Sequence, residues 1–340
     1  MIVVQPSLVI PGTYSFTPRN NQIQQVCVWD GEGRIFPLEY GTDFVRLNES
    51  VGAFSQGTSP GWGMVSFHPS EPRWIEAQQD HFTVIDSRKG TRLSQDMPVE
   101  SVLYSRGGDY IWVAGHVDED TVQVMTYTDD GEMVAEVKVA DDLGASALSL
   151  EDIPDTDAVV MVLAAGQDGV ETWELALSDG VIHSREMCPQ GSYRSFAWRT
   201  DGARFLAVDN NTNTVACFSY PSLDVQSAQS DDLVNYGDES SLPGYDMVWL
   251  SNGQAIVQGM DYRFWLFDPD TLTRIEEVAI AGWEPVSTRE VYPRLDDDSL
   301  MSVIGEWKRV GDLLIAKTLD GWKNPALFIF SEADLIEQLS

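Results

Sequence analysis

The sequence predicts an all-β chain in which short antiparallel sheets repeat and close into a radial ring. Helical periodicity is nearly absent over its 340 residues, whereas short runs of β-branched and aromatic residues, separated by Gly, Asp, Asn and Ser, recur from end to end. The runs return in a fixed order, which is the mark of a repeat architecture. With 43% hydrophobic and 10% aromatic residues the chain has apolar surface for a large core. One small sheet could not bury both of its faces, while a ring buries each sheet between neighbours and protects strand edges.

Each unit opens with a strand that carries an aromatic residue into a turn: Phe67-His68-Pro69, Tyr104-Ser105-Arg106-Gly107-Gly108, Trp198-Arg199-Thr200-Asp201-Gly202 and Trp249-Leu250-Ser251-Asn252-Gly253. A second apolar run follows at residues 74–77, 110–114, 159–165, 204–208, 254–258 and 313–317, of a length that suits one buried strand. An acidic residue then precedes a third strand: Asp80, Asp120, Asp168, Asp209, Asp261 and Asp320, spaced 40 to 59 residues apart. Polar turns lead to a fourth strand at 86–90, 128–132, 178–180 and 268–271, with the Asp-Gly and Pro-Asp chemistry of hairpins. Residues 25–36 repeat the third strand, turn and fourth strand near the start. Seven units of three or four antiparallel strands result, over 11–55, 62–97, 100–140, 146–187, 194–228, 245–280 and 287–340, as one domain spanning 1–340. The weaker match of the third and seventh units leaves six or eight open. Residues 2–10, with Ile2-Val3-Val4, are expected to add a strand to the last sheet and so close the ring.

The segment Asp261-Tyr262-Arg263-Phe264-Trp265-Leu266-Phe267-Asp268 is similar to the third strand of a WD40 unit with its preceding Asp, and Trp29-Asp30 is a literal WD pair. On these residues and the strand order, most of the chain resembles the WD40 and YVTN-type β-propeller superfamily. The Gly-His pair that opens a WD40 unit is missing at the expected places; Gly115-His116 follows a second strand instead. The resemblance implies a seven-bladed β-propeller that serves as a non-catalytic platform for a protein partner. It also implies that the acidic residues between second and third strands, Asp80, Asp120, Asp168, Asp209, Asp261 and Asp320, brace their turns.

Charge narrows the partner. The chain carries 54 acidic and 21 basic residues, a formal −33, and only five of the basic residues are lysines. A basic footprint for nucleic acid is absent from the composition, and adhesion to anionic lipid is disfavoured by the same balance. Basic protein partners, cations or a salt-rich cytoplasm fit it. Cys27, Cys188 and Cys217 are odd in number and lack C-x-x-C spacing, so free buried thiols are expected. The first residues hold no Lys or Arg and their apolar run is broken by Gln5, Pro6 and Ser7; neither a leader peptide nor a stretch long enough to span a membrane is expected. A cytoplasmic monomer is the expectation.

Candidate binding residues are the connection aromatics Trp62, Trp283 and Trp322, together with His81 and His116 in the loop class that carries the acidic residues. His116 stands beside Asp118, Glu119 and Asp120, the makings of an acid–base cluster. Trp198, Trp249 and Trp265 fall inside strand pattern and read as core. Asp152, Asp155, Asp157 and 296–298 read as solvated turns, and 43–63 and 225–244 as long loops on a rigid scaffold. Two other function classes compete with the scaffold. A lactonase-like, metal-dependent propeller hydrolase would draw Asp80, Asp168, Asp209 and Asp261 together round a divalent cation such as calcium; an acidic inhibitor or immunity-type protein would mimic nucleic acid. No G-x-S-x-G, P-loop or dinucleotide Gly motif is present.

Overall fold

The computed structural model describes residues 1–11, 14–18, 26–30, 34–41, 44–47, 49, 52–53, 65–69, 71, 73–78, 80–86, 90–145, 147–165, 169–188, 191–209, 214–227, 247–258, 263–291, 300–301, 303–318 and 324–340. Two strands open the chain, β1 (Ile2–Val4) and β2 (Leu8–Pro11). A first sheet is built from β3 (Tyr14–Pro18), β4 (Val26–Asp30), β5 (Arg34–Gly41) and β6 (Phe44–Leu47) in that order, and β7 (Gly52–Ala53) pairs with β5. The next three sheets are consecutive four-stranded meanders. They comprise β8 (Val65–Phe67), β9 (Arg73–Gln78), β10 (His81–Asp86) and β11 (Gly90–Asp96); then β12 (Ser101–Tyr104), β13 (Tyr110–Asp118), β14 (Thr121–Thr128) and β15 (Met133–Ala140); then β16 (Ala147–Asp152), β17 (Val159–Ala164), β18 (Val170–Ser178) and β19 (Val181–Glu186).

The fifth meander is β20 (Tyr193–Trp198), β21 (Arg204–Asp209), β22 (Thr214–Ser219) and β23 (Val225–Ser227). The sixth runs β24 (Met247–Trp249), β25 (Ala255–Gln258), β26 (Phe264–Asp268) and β27 (Thr273–Ile280), with β1 added parallel to β27. A short hairpin, β28 (Val286–Ser287) and β29 (Leu300–Met301), flanks α1 (Thr288–Val291). The last sheet takes β30 (Ile304–Val310), β31 (Leu313–Thr318) and β32 (Ala326–Ser331), with β2 antiparallel to β32, and α2 (Glu332–Leu339) ends the chain. The N-terminal run assigned whole to the last sheet is therefore divided: residues 2–4 join the sixth sheet and residues 8–11 the last. The chain falls into two compact units, one of Met1–Tyr14, Tyr40–Arg46 and Ser195–Ser340, the other of Ser15–Glu39 and Leu47–Arg194.

Burial explains why the second strands read as unbroken apolar runs. Successive side chains of a strand face opposite ways, so a strand covered on both faces has no polar positions to alternate with. On β13, Ile111 and Val113 pack toward the β8–β11 sheet with Ile75, Phe82, Val84 and Tyr127, whereas Trp112 and Ala114 pack toward the β16–β19 sheet with Leu150, Val159 and Met161. The same division holds in the other unit. Ala255 and Val257 of β25 face Leu206, Val208 and Cys217, and Ile256 faces the layer of Trp307, Leu314 and Phe328. Fourth strands are covered less: β19 buries only Ile182. Cys188 and Cys217 are free and buried.

Sheets that are neighbours in the chain are also clasped within each unit by arginine. Arg73 reaches past Glu71 to Asp129 in the turn between β14 and β15, where Tyr104 donates its hydroxyl to the same carboxylate at 3.2 Å. Arg106 meets Asp155 at 3.3 Å, Arg204 meets Asp270 at 2.5 Å, and Arg309 binds Glu332 while donating to the Trp249 carbonyl at 2.5 Å. Serines tie the first strands: Ser66 Oγ accepts from the Tyr104 amide at 2.9 Å and Ser101 Oγ from the Leu150 amide at 3.0 Å. Gly108 permits one of these joints. Its φ of +83° suits glycine, and a Cβ there would stand 2.6 Å from the His68 ring.

Candidate functional site

A meander places its loops at two ends, and in the unit of Leu47–Arg194 both ends expose carboxylates but differ in their basic residues. Turns between first and second strands, and between third and fourth, share the end that holds Arg73 and Arg106. Turns between second and third strands share the other end with the connections to the next sheet: Met97 N–H donates to the Asp80 carbonyl at 2.8 Å, and Asp141 N–H to the Asp120 carbonyl at 2.9 Å. The loop residues 79–80, 97–100, 119–120, 141–146, 165–169 and 187–192 contain no Lys or Arg. Their described acids are Asp80, Glu100, Glu119, Asp120, Asp141 and Asp142, and Asp80, Glu119, Asp120 and Asp142 are exposed. Glu171, at the start of β18, is pushed up chiefly by burial, against the lowering influence of the neighbouring Trp173, with Asp142, Asp141 and Glu186 adding repulsion.

His116 stands among these carboxylates, on the last turnward stretch of β13. Its Nδ1 lies 2.7 Å from Glu100 Oε1 and its Nε2 3.0 Å from Asp141 Oδ2. Asp141 is fully buried and also accepts the Leu143 amide at 3.1 Å and the Ala145 amide at 2.6 Å; Glu100 is 36% exposed and accepts the His116 amide at 3.0 Å. Gly115 makes this approach possible, because a Cβ at that position would meet the Pro98 carbonyl oxygen at 2.5 Å. Burial alone would lower the ring's pKa, but the hydrogen bonds to Asp141 and Glu100 outweigh it and hold the imidazole above its ordinary value. Asp141 is moved the opposite way: burial would raise it, yet His116 and the two amides keep it below the usual carboxylate range.

No protein-family model matches the chain, and comparison with curated proteins finds no match. Solved structures do match. The β-propeller domain of Cps50 (Swd1) from Myceliophteria thermophila superposes with a TM-score of 0.58 at 12% identity, covering 95% of this chain and 99% of that one. The WD40 β-propeller domain of Doa1 gives 0.54 at 11% identity, covering 96% of each chain. The fold is a WD40-like β-propeller. Its antiparallel four-stranded sheets are the blades, and likeness at such low identity speaks for the architecture alone.

The propeller places the expected site residues unevenly. His116 does form an acid–base cluster, but its partners are Glu100 and Asp141, brought in by the strands before and after β13 and β14, and not Asp118, Glu119 or Asp120. At the corresponding turn of the preceding blade, His81 Nδ1 lies 2.7 Å from the largely exposed Asp80, and that hydrogen bond holds the carboxyl low. The turn at 119–120 is braced by Asp118, whose carboxylate accepts the Asp120 amide at 3.1 Å, so the side chain expected from Asp120 comes two residues earlier. Asp209 ends β21 in register with Thr214. Trp283, expected as an exposed aromatic, is half-buried, edge-on to Phe328 at 4.8 Å and packed against the core beside Trp307. Of the tryptophans assigned to the core, Trp249 is fully buried, whereas Trp265 is partly covered beneath the Arg274 guanidinium at 4.6 Å. Trp62, Trp322, Asp168, Asp261 and Asp320 lie outside the described residues, as does most of 43–63 and 225–244.

Asp152 departs from its expected role as a solvated turn residue. It ends β16, and desolvation pushes its carboxyl up to about 7 against the attraction of Arg106. Among the described residues no group of three or more His, Cys, Asp or Glu side chains is arranged to hold a metal ion, and no helix is long and apolar enough to cross a membrane.

Proposed function

We propose that this propeller is a non-catalytic interaction scaffold that binds a Lys- or Arg-rich protein partner through the carboxylate end of the blades within residues 65–192. The observation that carries the reading is the absence of Lys and Arg from the loops at one end of these blades, where Asp80, Glu119, Asp120 and Asp142 are exposed; the other end also exposes carboxylates, among them Asp130, Asp155 and Asp157, but sets Arg73 and Arg106 beside them. A rigid rim of like charge raises the encounter rate with a basic surface, and such steering is screened by salt. A cytoplasmic, monomeric state belongs to the same proposal, as does the absence of a resident cofactor.

No observation favours the hydrolase reading. Asp80 turns its carboxylate to His81, Asp209 ends a separate strand, and Asp168 and Asp261 fall outside the described residues, so a convergent donor set has no support. The nucleic-acid-mimic reading shares the acidic surface but needs carboxylates in a stripe with duplex spacing, which nothing here supports.

The test is charge reversal of exposed positions, Asp80→Lys, Asp120→Lys and Asp142→Lys together. Association of the wild type and the variant with a lysine- and arginine-rich polypeptide is followed at low and high salt. The variant's on-rate should fall about tenfold or more at low salt, with the gap closing as salt rises. Equal on-rates at every ionic strength would sink the proposal.

A further inference from the structure

We propose that His116 is a proton-operated latch that holds the 97–100 connection against the end of β13, and that on losing its proton the ring releases Glu100 while keeping Asp141. Both ring nitrogens face a carboxylate oxygen within 3.0 Å, and carboxylates are acceptors only, so both nitrogens must carry hydrogen in this arrangement. A neutral imidazole has one N–H. Its other nitrogen would then turn a lone pair on a carboxylate, and one contact has to open.

The two partners are not equivalent. Asp141 is fully buried and pinned by the amides of Leu143 and Ala145, so it has no route to water and the strongest need of a donor. Glu100 is partly exposed, and the oxygen that meets Nδ1, Oε1, also accepts the His116 amide, so it keeps a donor when the ring lets go and the carboxylate can shift toward solvent at small cost. The remaining hydrogen therefore stays on Nε2. What loosens is the entry into β12, where Glu100 N–H donates to the Ala114 carbonyl at 2.9 Å and Pro98 rests on Gly115.

The two charged groups that touch the ring, Glu100 ahead of β12 and Asp141 after β15, act in one direction. The exposed residues next along the chain, Asp118, Glu119 and Asp120 at the end of β13 and its turn and Asp142 beside Asp141, are acidic as well. Behind these stand Glu171 on β18 and Glu186 at the end of β19. The nearest lysine along the adjoining strand, Lys138, pairs with Gln123 and faces away from Val122 and Val139, the ladder positions level with His116.

The full chain labelled with 15N-histidine reads the latch directly, with His116→Gln assigning the resonance. The His116 midpoint should lie above the ordinary imidazole value of about 6.5. Above that midpoint Nδ1 should show the shift of a bare nitrogen and Nε2 that of an N–H, and exchange of the Glu100 amide should accelerate. Glu100→Gln should lower the midpoint and leave the tautomer unchanged; Asp141→Asn should lower it and move the hydrogen to Nδ1. A neutral wild-type ring protonated on Nδ1, or a midpoint at or below 6.5, overturns the latch. The wild-type tautomer and the Glu100→Gln titration decide the matter even if Asp141→Asn does not fold.

Discussion

Asp152 shows how much a single position can depart from its sequence context. Read along the chain it belongs to a run of acids and a turn; in the fold it closes a first strand, partly covered, with its carboxyl raised to about 7 by desolvation. An unfolded chain ionises this group near 4, so between about pH 4 and 7 the folded state holds a proton that the unfolded state has released. Stability is therefore greatest at the acid end of that window and declines as pH rises through 7, by at most about 1.4 kcal/mol per unit. Asp152→Asn removes the slope: denaturation midpoints of the variant should exceed those of the wild type at pH 8 and converge with them toward pH 5. Parallel curves across that range would count against the assignment. His116 carries a related lesson. Its sequence neighbours Asp118, Glu119 and Asp120 suggested the cluster, but two hairpins fold Glu100 and Asp141 onto the ring from 16 and 25 residues away. The signal existed in register: once Ser101 pairs with Ala114 and Thr121 with Ala140, the ends of those strands must meet at residue 116.

Strands and turns were legible because their causes are local. Runs of β-branched and aromatic residues mark strands, and Asp-Gly pairs mark turns such as 179–180, where both residues take positive φ. The unit read over 100–140 is the sheet from β12 to β15, and the one read over 146–187 is that from β16 to β19. The clasps between sheets were not legible, since Arg73 and Asp129 are 56 residues apart and neither stands in a recognisable motif. Such a clasp is best tested from its carboxylate. Asp129→Ala takes from the buried Arg73 guanidinium the less exposed of its two carboxylates, leaving Glu71, and removes an acceptor of the Tyr104 hydroxyl; it should cost about 1–3 kcal/mol in chemical denaturation. The double variant Arg73→Met, Asp129→Ala should recover much of that loss. If the single change costs no more than an exposed ion pair, under about 1 kcal/mol, the clasp contributes nothing beyond surface electrostatics.

Over the whole chain, 54 acids against 21 bases leave self-repulsion that no pairing can offset, and Arg73, Arg106, Arg204 and Arg309 are committed to holding sheet against sheet. Salt should therefore stabilise the fold without regard to ion identity. Thermal midpoints are expected to rise together in NaCl and KCl as the screening length falls below about 10 Å. A rise confined to one divalent cation would instead point to coordination and revive the hydrolase reading. The architecture itself was readable from repetition, while the course of its first eleven residues was not, because their partners are named by nothing nearby. Ile2 pairs with Val278 and Leu8 with Ile329, the Met1 ammonium meets Glu276 at 2.5 Å, and Gln5 exchanges hydrogen bonds with Gln338 of α2. This segment is thus made well before the strands it pairs with. During synthesis it must stay unpaired until those distant strands have been made, which sets a high-contact-order closing step and leaves a nascent edge that the cell has to keep from pairing elsewhere.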